Sequence, residues 1–280
     1  MAAGGPSLAR VLILGCGYTG LRLIEHARQR GLSVLATTRD PGREQQLRDR
    51  GATPLVMREL DAATLASYVN ADTAIVVTFP PDGHTDARVA ELARGAFAAV
   101  YVSTTGVYGK TSGPIDDETP VAPDHPRGHL RLQAEACFRA AGATILRVAA
   151  IYGPGRGMHV RVRAFTARIA GDGGHHICRI HVDDLCEALL RTVELRLGPD
   201  TYVLADDEPC PQGEVVRYLA DLLGVPCPPS VPLDAVDVTL RNDRQIDASR
   251  FKSRTNLSFR YPSFREGFAA CLRAERGELP

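Results

Sequence analysis

Gly15-Cys16-Gly17-Tyr18-Thr19-Gly20 is a G-x-G-x-x-G run that follows an apolar stretch at 11–14 and opens an amphipathic one at 19–30. Each glycine has its own task in such a loop. The first permits a tight turn, the second lets the backbone approach a pyrophosphate, and the third lets helix and strand pack closely. The helix then presents its free N–H groups to the anion. The context predicts a dinucleotide site on Gly15, Cys16, Gly17, Tyr18, Thr19 and Gly20. The end of the next apolar run chooses between the two common dinucleotides. A site for NAD places a carboxylate there, about 20 residues beyond the loop, to bond the ribose 2′-hydroxyl. This chain reads Ala36-Thr37-Thr38-Arg39, with no carboxylate until Asp40. Arg39 suits a 2′-phosphate and Thr38 can donate to it, so NADP is expected rather than NAD. The alternative is an Arg39 that is simply solvated at the start of the following helix.

These residues need elements to hold them. Short apolar runs at 11–14, 33–37, 53–57, 73–78, 98–103 and 144–149 read as buried strands, and the stretches 19–30, 41–50, 61–69, 86–95 and 128–141 as crossover helices. This is the rhythm of βαβ units, so the expected fold is α/β, a doubly wound parallel sheet of Rossmann type. From Ile151 the texture changes. A smaller and mostly helical second lobe is expected there, with helices at 182–196, 213–223 and 263–276 and a strand at 202–204. The domains read as 1–150 for the nucleotide and 151–280 for the last sheet elements and a substrate lobe.

Composition sets the limits. The chain has 280 residues, 44% hydrophobic and 24% charged, with 33 basic residues against 33 acidic ones. A net charge of zero argues against nucleic acid or an anionic membrane as partner. No run approaches the ~20 apolar residues of a membrane span, and the first ten residues lack the apolar stretch of a signal peptide, so the expected location is cytoplasmic. Seven cysteines without a C-x-x-C pair read as buried, reduced thiols rather than a disulfide frame or zinc knuckle. Only Lys110 and Lys252 are lysines; the other 31 basic residues are arginines.

Three further motifs carry a resemblance. Val102-Ser103-Thr104-Thr105-Gly106-Val107-Tyr108-Gly109, then Arg147-Val148-Ala149-Ala150-Ile151-Tyr152-Gly153-Pro154-Gly155, then Ile180-His181-Val182-Asp183-Asp184 resemble the extended short-chain dehydrogenase/reductases, the NAD(P)-dependent epimerase/dehydratase superfamily. The resemblance covers nearly the whole chain. It implies a Rossmann domain, a small C-terminal substrate lobe and an active site between them. It also implies contacts of the dinucleotide with Thr78, Phe79, Ser103 and Ala150, a substrate oxygen held by Thr104, and a homodimer formed through helices near 86–95 and 128–141.

In that family a Tyr-x-x-x-Lys pair stands eight and four residues before a glutamate that matches Glu135. Here those positions are Arg127 and Arg131, and no tyrosine precedes either lysine by four residues: Lys110 is preceded at that spacing by Gly106, and Lys252 by Ala248. Arginine holds its proton near neutral pH, although it can still grip a ribose, phosphate or carboxylate. The chain therefore resembles the atypical members that lack the pair. The 4,6-dehydratase branch is disfavoured because its Asp-Glu is here Thr105-Gly106.

If chemistry survives, a histidine, water or the substrate supplies the proton, and His129 is the candidate side chain, with Thr104, Arg127 and Arg131 completing the catalytic set. Tyr108 and Tyr152 read as residues packed under the cofactor site, and His181 and Asp184 as ties of the second lobe to the sheet. His125 and His129 stand four apart, but Pro126 spoils a helical pair, so no metal site is expected. Arg127, Arg131, Arg156 and Arg161 suit an anionic substrate, or are solvated arginines in a lysine-poor chain. The Asp116-Asp117-Glu118 run reads as a solvated face. Two functions follow: an NADP(H) oxidoreductase or epimerase for a small, sugar-like or anionic carbonyl or hydroxyl substrate, or a catalytically silent dinucleotide sensor or scaffold.

Overall fold

Val11, Leu12, Ile13 and Leu14 have no exposed surface, and all five residues of two other strands, 73–77 and 144–148, are buried. Burial on both faces is what a parallel sheet sandwiched by helices requires. The computed structural model describes residues 7–236 and 241–278. In chain order its elements are β1 (Arg10–Leu14), α1 (Tyr18–Gln29), β2 (Ser33–Thr38), α2 (Glu44–Asp49), β3 (Thr53–Val56), α3 (Ala62–Ala66), β4 (Thr73–Val77), α4 (Thr85–Ala90), β5 (Ala98–Thr104), β6 (Gly113–Ile115), α5 (Pro126–Ala140) and β7 (Thr144–Val148). There follow β8 (Ala150–Tyr152), α6 (Met158–Arg163), β9 (Ile169–Ala170), β10 (Arg179–His181), α7 (Val182–Glu194), β11 (Thr201–Leu204), α8 (Gln212–Leu223), β12 (Ser230–Val231), β13 (Arg244–Ile246), α9 (Ser249–Thr255) and α10 (Phe264–Glu275).

Seven strands form the main sheet in the order β11-β7-β5-β4-β1-β2-β3. The pairings β1–β2, β1–β4, β2–β3 and β4–β5 are parallel. The winding direction reverses between β1 and β4, and sheets of this type bind ligands beyond the carboxyl ends of the strands at such a point. Leu12, Leu14, Ile75, Val77 and Tyr101 pack against Leu65, Val89 and Phe138 of α3, α4 and α5. On the other face Ile13 meets α1 at Gly20, where an added Cβ would lie 3.2 Å from Ile13 Cγ2. Helix α7 lies beside α1, with His26 Nδ1 2.7 Å from Glu187 Oε1. Helices thus cover both faces, and the fold is the expected Rossmann-type α/β sheet.

The chain forms two compact units and passes between them five times. One comprises residues up to Thr104 with Pro126–Arg147 and Leu185–Tyr202; the other comprises Thr105–His125, Val148–Asp184 and Val203 onward. The cut anticipated at residue 150 falls beside the third crossing. Most of α7 and the first half of β11, expected in the C-terminal lobe, count with the sheet unit instead. Ile145 N–H donates to Asp200 O at 2.8 Å, which seats the start of β11 beside β7. A four-residue strand has no stability of its own and takes the nearest free sheet edge.

The second unit is not mostly helical. It holds three short parallel pairs, β6–β13, β8–β10 and β9–β12, beside α6, α8, α9 and α10. Its core gathers Tyr152, Val162, Ile169, Val215, Leu219, Phe264, Phe268 and Cys271. Asp184 accepts the backbone N–H groups of Arg260 (2.7 Å) and Tyr261 (3.0 Å), bonds that lie within the second unit rather than between it and the sheet. The acidic run is not simply solvated: the Asp117 side chain is 6% exposed, accepts Val203 N–H and pairs with Arg250 at 3.3 Å. All seven cysteines are free, yet only five are buried; Cys137 is half-buried and Cys227 exposed. Among the described residues no helix is long and apolar enough to cross a membrane.

Candidate functional site

The β1–α1 turn is fastened before it can hold anything. Gly15 has φ +83°, and a Cβ there would lie 2.5 Å from Phe79 Cβ, so only glycine lets this turn approach the loop after β4. Gly15 N–H donates to Thr37 Oγ1 (2.8 Å), Cys16 N–H to Thr37 O (2.9 Å), and Thr78 Oγ1–H to Gly15 O (2.7 Å). Gly17 is the helix cap, offers no side-chain acceptor to the first turn, and has open space where its Cβ would be. No acidic residue stands in that first turn. An anion is therefore met by unshielded N–H groups at the positive end of α1.

This turn borders a cleft of about 810 Å³ within the first unit. Its walls bring together Gly15, Cys16, Gly17, Thr38, Arg39, Thr78 and Phe79, seven of the anticipated cofactor residues. Tyr18, Thr19 and Gly20 belong to the first turn of α1, and the wall is not formed by them. Ser103 sits elsewhere: it is buried and its hydroxyl donates to Glu135. Ala150 lies in the second unit, on another cavity.

The cleft also contains residues that no motif announced. Arg43 and Arg58 join Arg39 at the β2 and β3 ends, with Met57 and Leu60 beside them. Arg43 Nη1–H donates to Cys16 O at 2.7 Å, which fixes its guanidinium at the glycine turn. Asp40, the first carboxylate after β2, accepts Gly42 N–H at 2.8 Å and caps the next short turn. At the other end, burial works to raise the Asp82 carboxyl, but hydrogen bonds from Thr85 and His84 outweigh it and bring it down to about 2.

The end of β5 and the start of α5 carry the anticipated catalytic set. Successive strand residues alternate in direction, and Tyr101 and Ser103 share the face covered by α5. Helix residues four apart share a face as well, so Arg131 meets Tyr101 and Glu135 meets Ser103. Arg131 Nη1–H donates to Tyr101 Oη (2.9 Å) and Val102 O (3.2 Å), and Phe138 stacks on Tyr101 at 4.7 Å. Burial pushes the Tyr101 hydroxyl well above its usual range although Arg131 pulls it down. Glu135, 1% exposed, receives Arg147 Nη2–H at 2.8 Å and Nε–H at 3.1 Å. The glutamate of the motif is thus the centre of a buried ion pair tying α5 to β5 and β7.

Thr104 follows, half-buried at the end of β5, and Arg127 is exposed one turn before Arg131 on the same helical stripe. His129 does not join them. It stands two residues from Arg131, about 200° around a helix of 3.6 residues per turn, and it is exposed. Helical geometry therefore turns it away from the stripe that faces β5.

Two other groupings lie in the second unit. His181 Nδ1 accepts Asp183 N–H at 3.2 Å and its ring packs at 4.1 Å on Tyr261, so it is embedded in the core. Glu208, Cys210 and Glu214 bring their ligand atoms within 4.8 Å of one another, and Arg265 already binds both glutamates.

Residues 11–205 match the NAD dependent epimerase/dehydratase family, which is 195 of the 280 residues, and the chain belongs to that family. It is 27% identical to Protein YeeZ of Escherichia coli strain K12 over 274 residues, covering 91% of this chain and 97% of that protein. It is also 27% identical over 304 residues to a 3-diazoavenalumate denitrifying reductase of Streptomyces sp, covering 92% of this chain and 98% of the relative. The structure of a functionally unknown conserved protein from Silicibacter pomeroyi DSS superposes with a TM-score of 0.83 at 28% identity, covering 95% of this chain and 99% of that one.

Proposed function

We propose that this protein is an NADP(H)-linked oxidoreductase or epimerase acting on a carbonyl or hydroxyl group of a small substrate. The observation that carries the reading is the charge pattern of the cleft beyond β2. Three arginines, Arg39, Arg43 and Arg58, line it against two carboxylates, Glu59 and Asp82, while Asp40, the first carboxylate after β2, is turned aside to cap a turn. A 2′-phosphate needs donors of this kind, whereas a bare 2′-hydroxyl calls for a carboxylate acceptor. Gly15, Gly17 and the N-terminus of α1 would hold the pyrophosphate, with Thr78 and Phe79 on the facing wall. The nicotinamide of a dinucleotide held there supplies or accepts the hydride.

The chain's own contribution is orientation. Thr104 donates its hydroxyl hydrogen bond to the reacting oxygen. Arg131, locked by Tyr101 and Val102, offers Nε–H and its second amino group to a ribose or an anionic group. Arg127 adds positive charge one turn away. Neither arginine releases a proton near neutral pH, and His129 faces elsewhere, so water or the substrate supplies the proton. The Streptomyces relative, named as a reductase, supports reduction among the reactions open to the family.

The test is stereospecific transfer of deuterium from [4-2H]NADPH to a panel of carbonyl compounds. We expect transfer in the native protein, a loss of about 10²–10³ in rate for Thr104→Ala, as for removal of one positioned donor, and no more than about a twofold change for His129→Ala. Tight NADPH binding with no transfer to any compound would favour the second reading, a silent dinucleotide sensor. The motif position held by Arg127 and Arg131, with no Tyr-x-x-x-Lys anywhere in the chain, is what keeps that reading in view.

A further inference from the structure

The second unit contains its own cavity, of about 400 Å³, and its chemistry differs from that of the nucleotide cleft. Ile151, Met158, Val160, Ile177, Val215 and Phe268 give it apolar walls. No acidic side chain lines it, but Arg179 does, with Arg156 and Arg161 exposed at its border. A volume of this size suits a small organic ligand rather than a second dinucleotide.

Arg179 is the unusual member. It is 6% exposed, its Nη1 has no hydrogen-bond partner, and its guanidinium lies 5.5 Å from the Phe264 ring. Buried polar atoms without partners are rare, and each calls for an explanation. Seven such side-chain atoms occur among the described residues, and four belong to one electrostatic cluster: Tyr152 Oη, Arg179 Nη1 and both carboxylate oxygens of Asp206. Asp206 N–H donates to Arg179 O at 2.7 Å, so the two residues are backbone neighbours. Yet no ion pair within 4.0 Å joins their side chains among the described residues. Burial pushes the Asp206 carboxyl up to about 8 against the pull of Arg179 and Lys252, with Glu208 and Asp184 also raising it. Near neutral pH it therefore holds its proton and leaves the Arg179 charge unanswered. An unanswered buried guanidinium beside a protonated carboxyl is a receptor for an anion.

The walls say which anion. Gln212, the remaining polar side chain there, is already used: its Oε1 accepts Ala170 N–H at 3.2 Å and its Nε2–H donates to Arg168 O at 2.8 Å. A sugar ring carries hydroxyls in several directions, and this lining would leave most of them unpaired. An apolar body with a single planar anionic head meets no such penalty. We propose that this cavity binds an apolar organic acid, with its carboxylate on Arg179 and its body against Met158, Val215 and Phe268. The proposal rests on the functional reading above only in calling this ligand the substrate, since the binding itself does not involve the nucleotide cleft.

Calorimetric titration of the full chain, without nucleotide, with 3-phenylpropanoate, 3-phenylpropanamide and glucose 1-phosphate tests it. The acid is expected to bind at least about tenfold more tightly than the isosteric amide, as one charge-assisted hydrogen-bond set implies, and glucose 1-phosphate is expected not to bind. Arg179→Gln should reduce the acid to the level of the amide. Met158→Trp, which fills the cavity and keeps Arg179, should weaken both. Equal binding of acid and amide, binding of neither, or tighter binding of the sugar phosphate would overturn the proposal. The native comparison decides even if Arg179→Gln fails to fold. A parallel NADPH titration separates the two readings: NADPH binding without acid binding sinks this one alone, and acid binding without NADPH binding sinks the cofactor assignment alone.

Discussion

The nucleotide cleft of the first unit and the cavity of the second are both edged by arginines, yet they are built in opposite ways. The cleft gathers around one glycine turn and neighbouring strand ends, all from residues 15–85, with Arg39 and Arg58 exposed to solvent. The cavity is lined by residues as far apart in sequence as Ala150 and Phe268, with Arg179 buried and its Nη1 without a hydrogen-bond partner. A site centred on a glycine turn is announced by a local run of sequence. A side-chain site is specified by the packing of elements that are distant in sequence, and so it is shaped by one chain's own substitutions.

The sharpest way to strain that contrast is to attack the frame of the first unit. Glu135→Ala removes the carboxylate that the buried Arg147 guanidinium grips through two nitrogens, and should lower the unfolding free energy by about 3–5 kcal/mol in denaturant titration. Gly15→Val comes next, since its Cβ would collide with Phe79 from a left-handed backbone; we expect a loss of about 2–4 kcal/mol. Nucleotide binding should vanish with it, while organic-acid binding in the second unit persists in the folded fraction. A Gly15→Val protein that lost both together would show the two sites to be one. Smaller still, Arg39→Ala should weaken NADPH by about tenfold to a hundredfold, the worth of one phosphate-pairing arginine, and leave NADH within about twofold.

A further effect concerns Asp206 and is read by pH. Its folded-state carboxyl is raised to about 8 from an ordinary value of 3.8. The folded state therefore binds more protons than the unfolded chain between those values, and stability falls as pH rises from about 4 to 8. Asp206→Asn removes that slope. Its melting temperature should fall less steeply than the native one between pH 5 and pH 8.5, so that the variant is the more stable of the two at the alkaline end. Parallel pH profiles for the two proteins would mean that Asp206 is ionised and paired in solution.

The contrast also explains what was readable in the sequence. The strands β1 to β5 and β7 stand out because burial on both faces makes them continuous apolar runs, and the glycine loop because its three small residues have local reasons. β11 was recognised as a strand, but its place at the sheet edge depends on a pairing with β7 across more than fifty residues. The pairs β6–β13, β8–β10 and β9–β12 involve strands of two or three residues, too short for any alternation to register. Arg43 and Arg58 escaped notice because they approach the cleft from two different loops. His129 sat at a plausible spacing, and only the helical angle separates it from Arg131. Ser103 was expected on the dinucleotide by resemblance, but its hydroxyl is held by Glu135 beside the buried pair with Arg147, a packing arrangement that no single motif announces.

The central claim is that the cleft of the first unit is a site for NADP(H). The most direct measurement is a parallel titration of the purified protein with NADPH and NADH by nicotinamide fluorescence, with Arg39→Ala as the control. The account predicts selective NADPH binding that the substitution abolishes or weakens by at least about tenfold. Equal affinity for the two nucleotides, unchanged in Arg39→Ala, would contradict it.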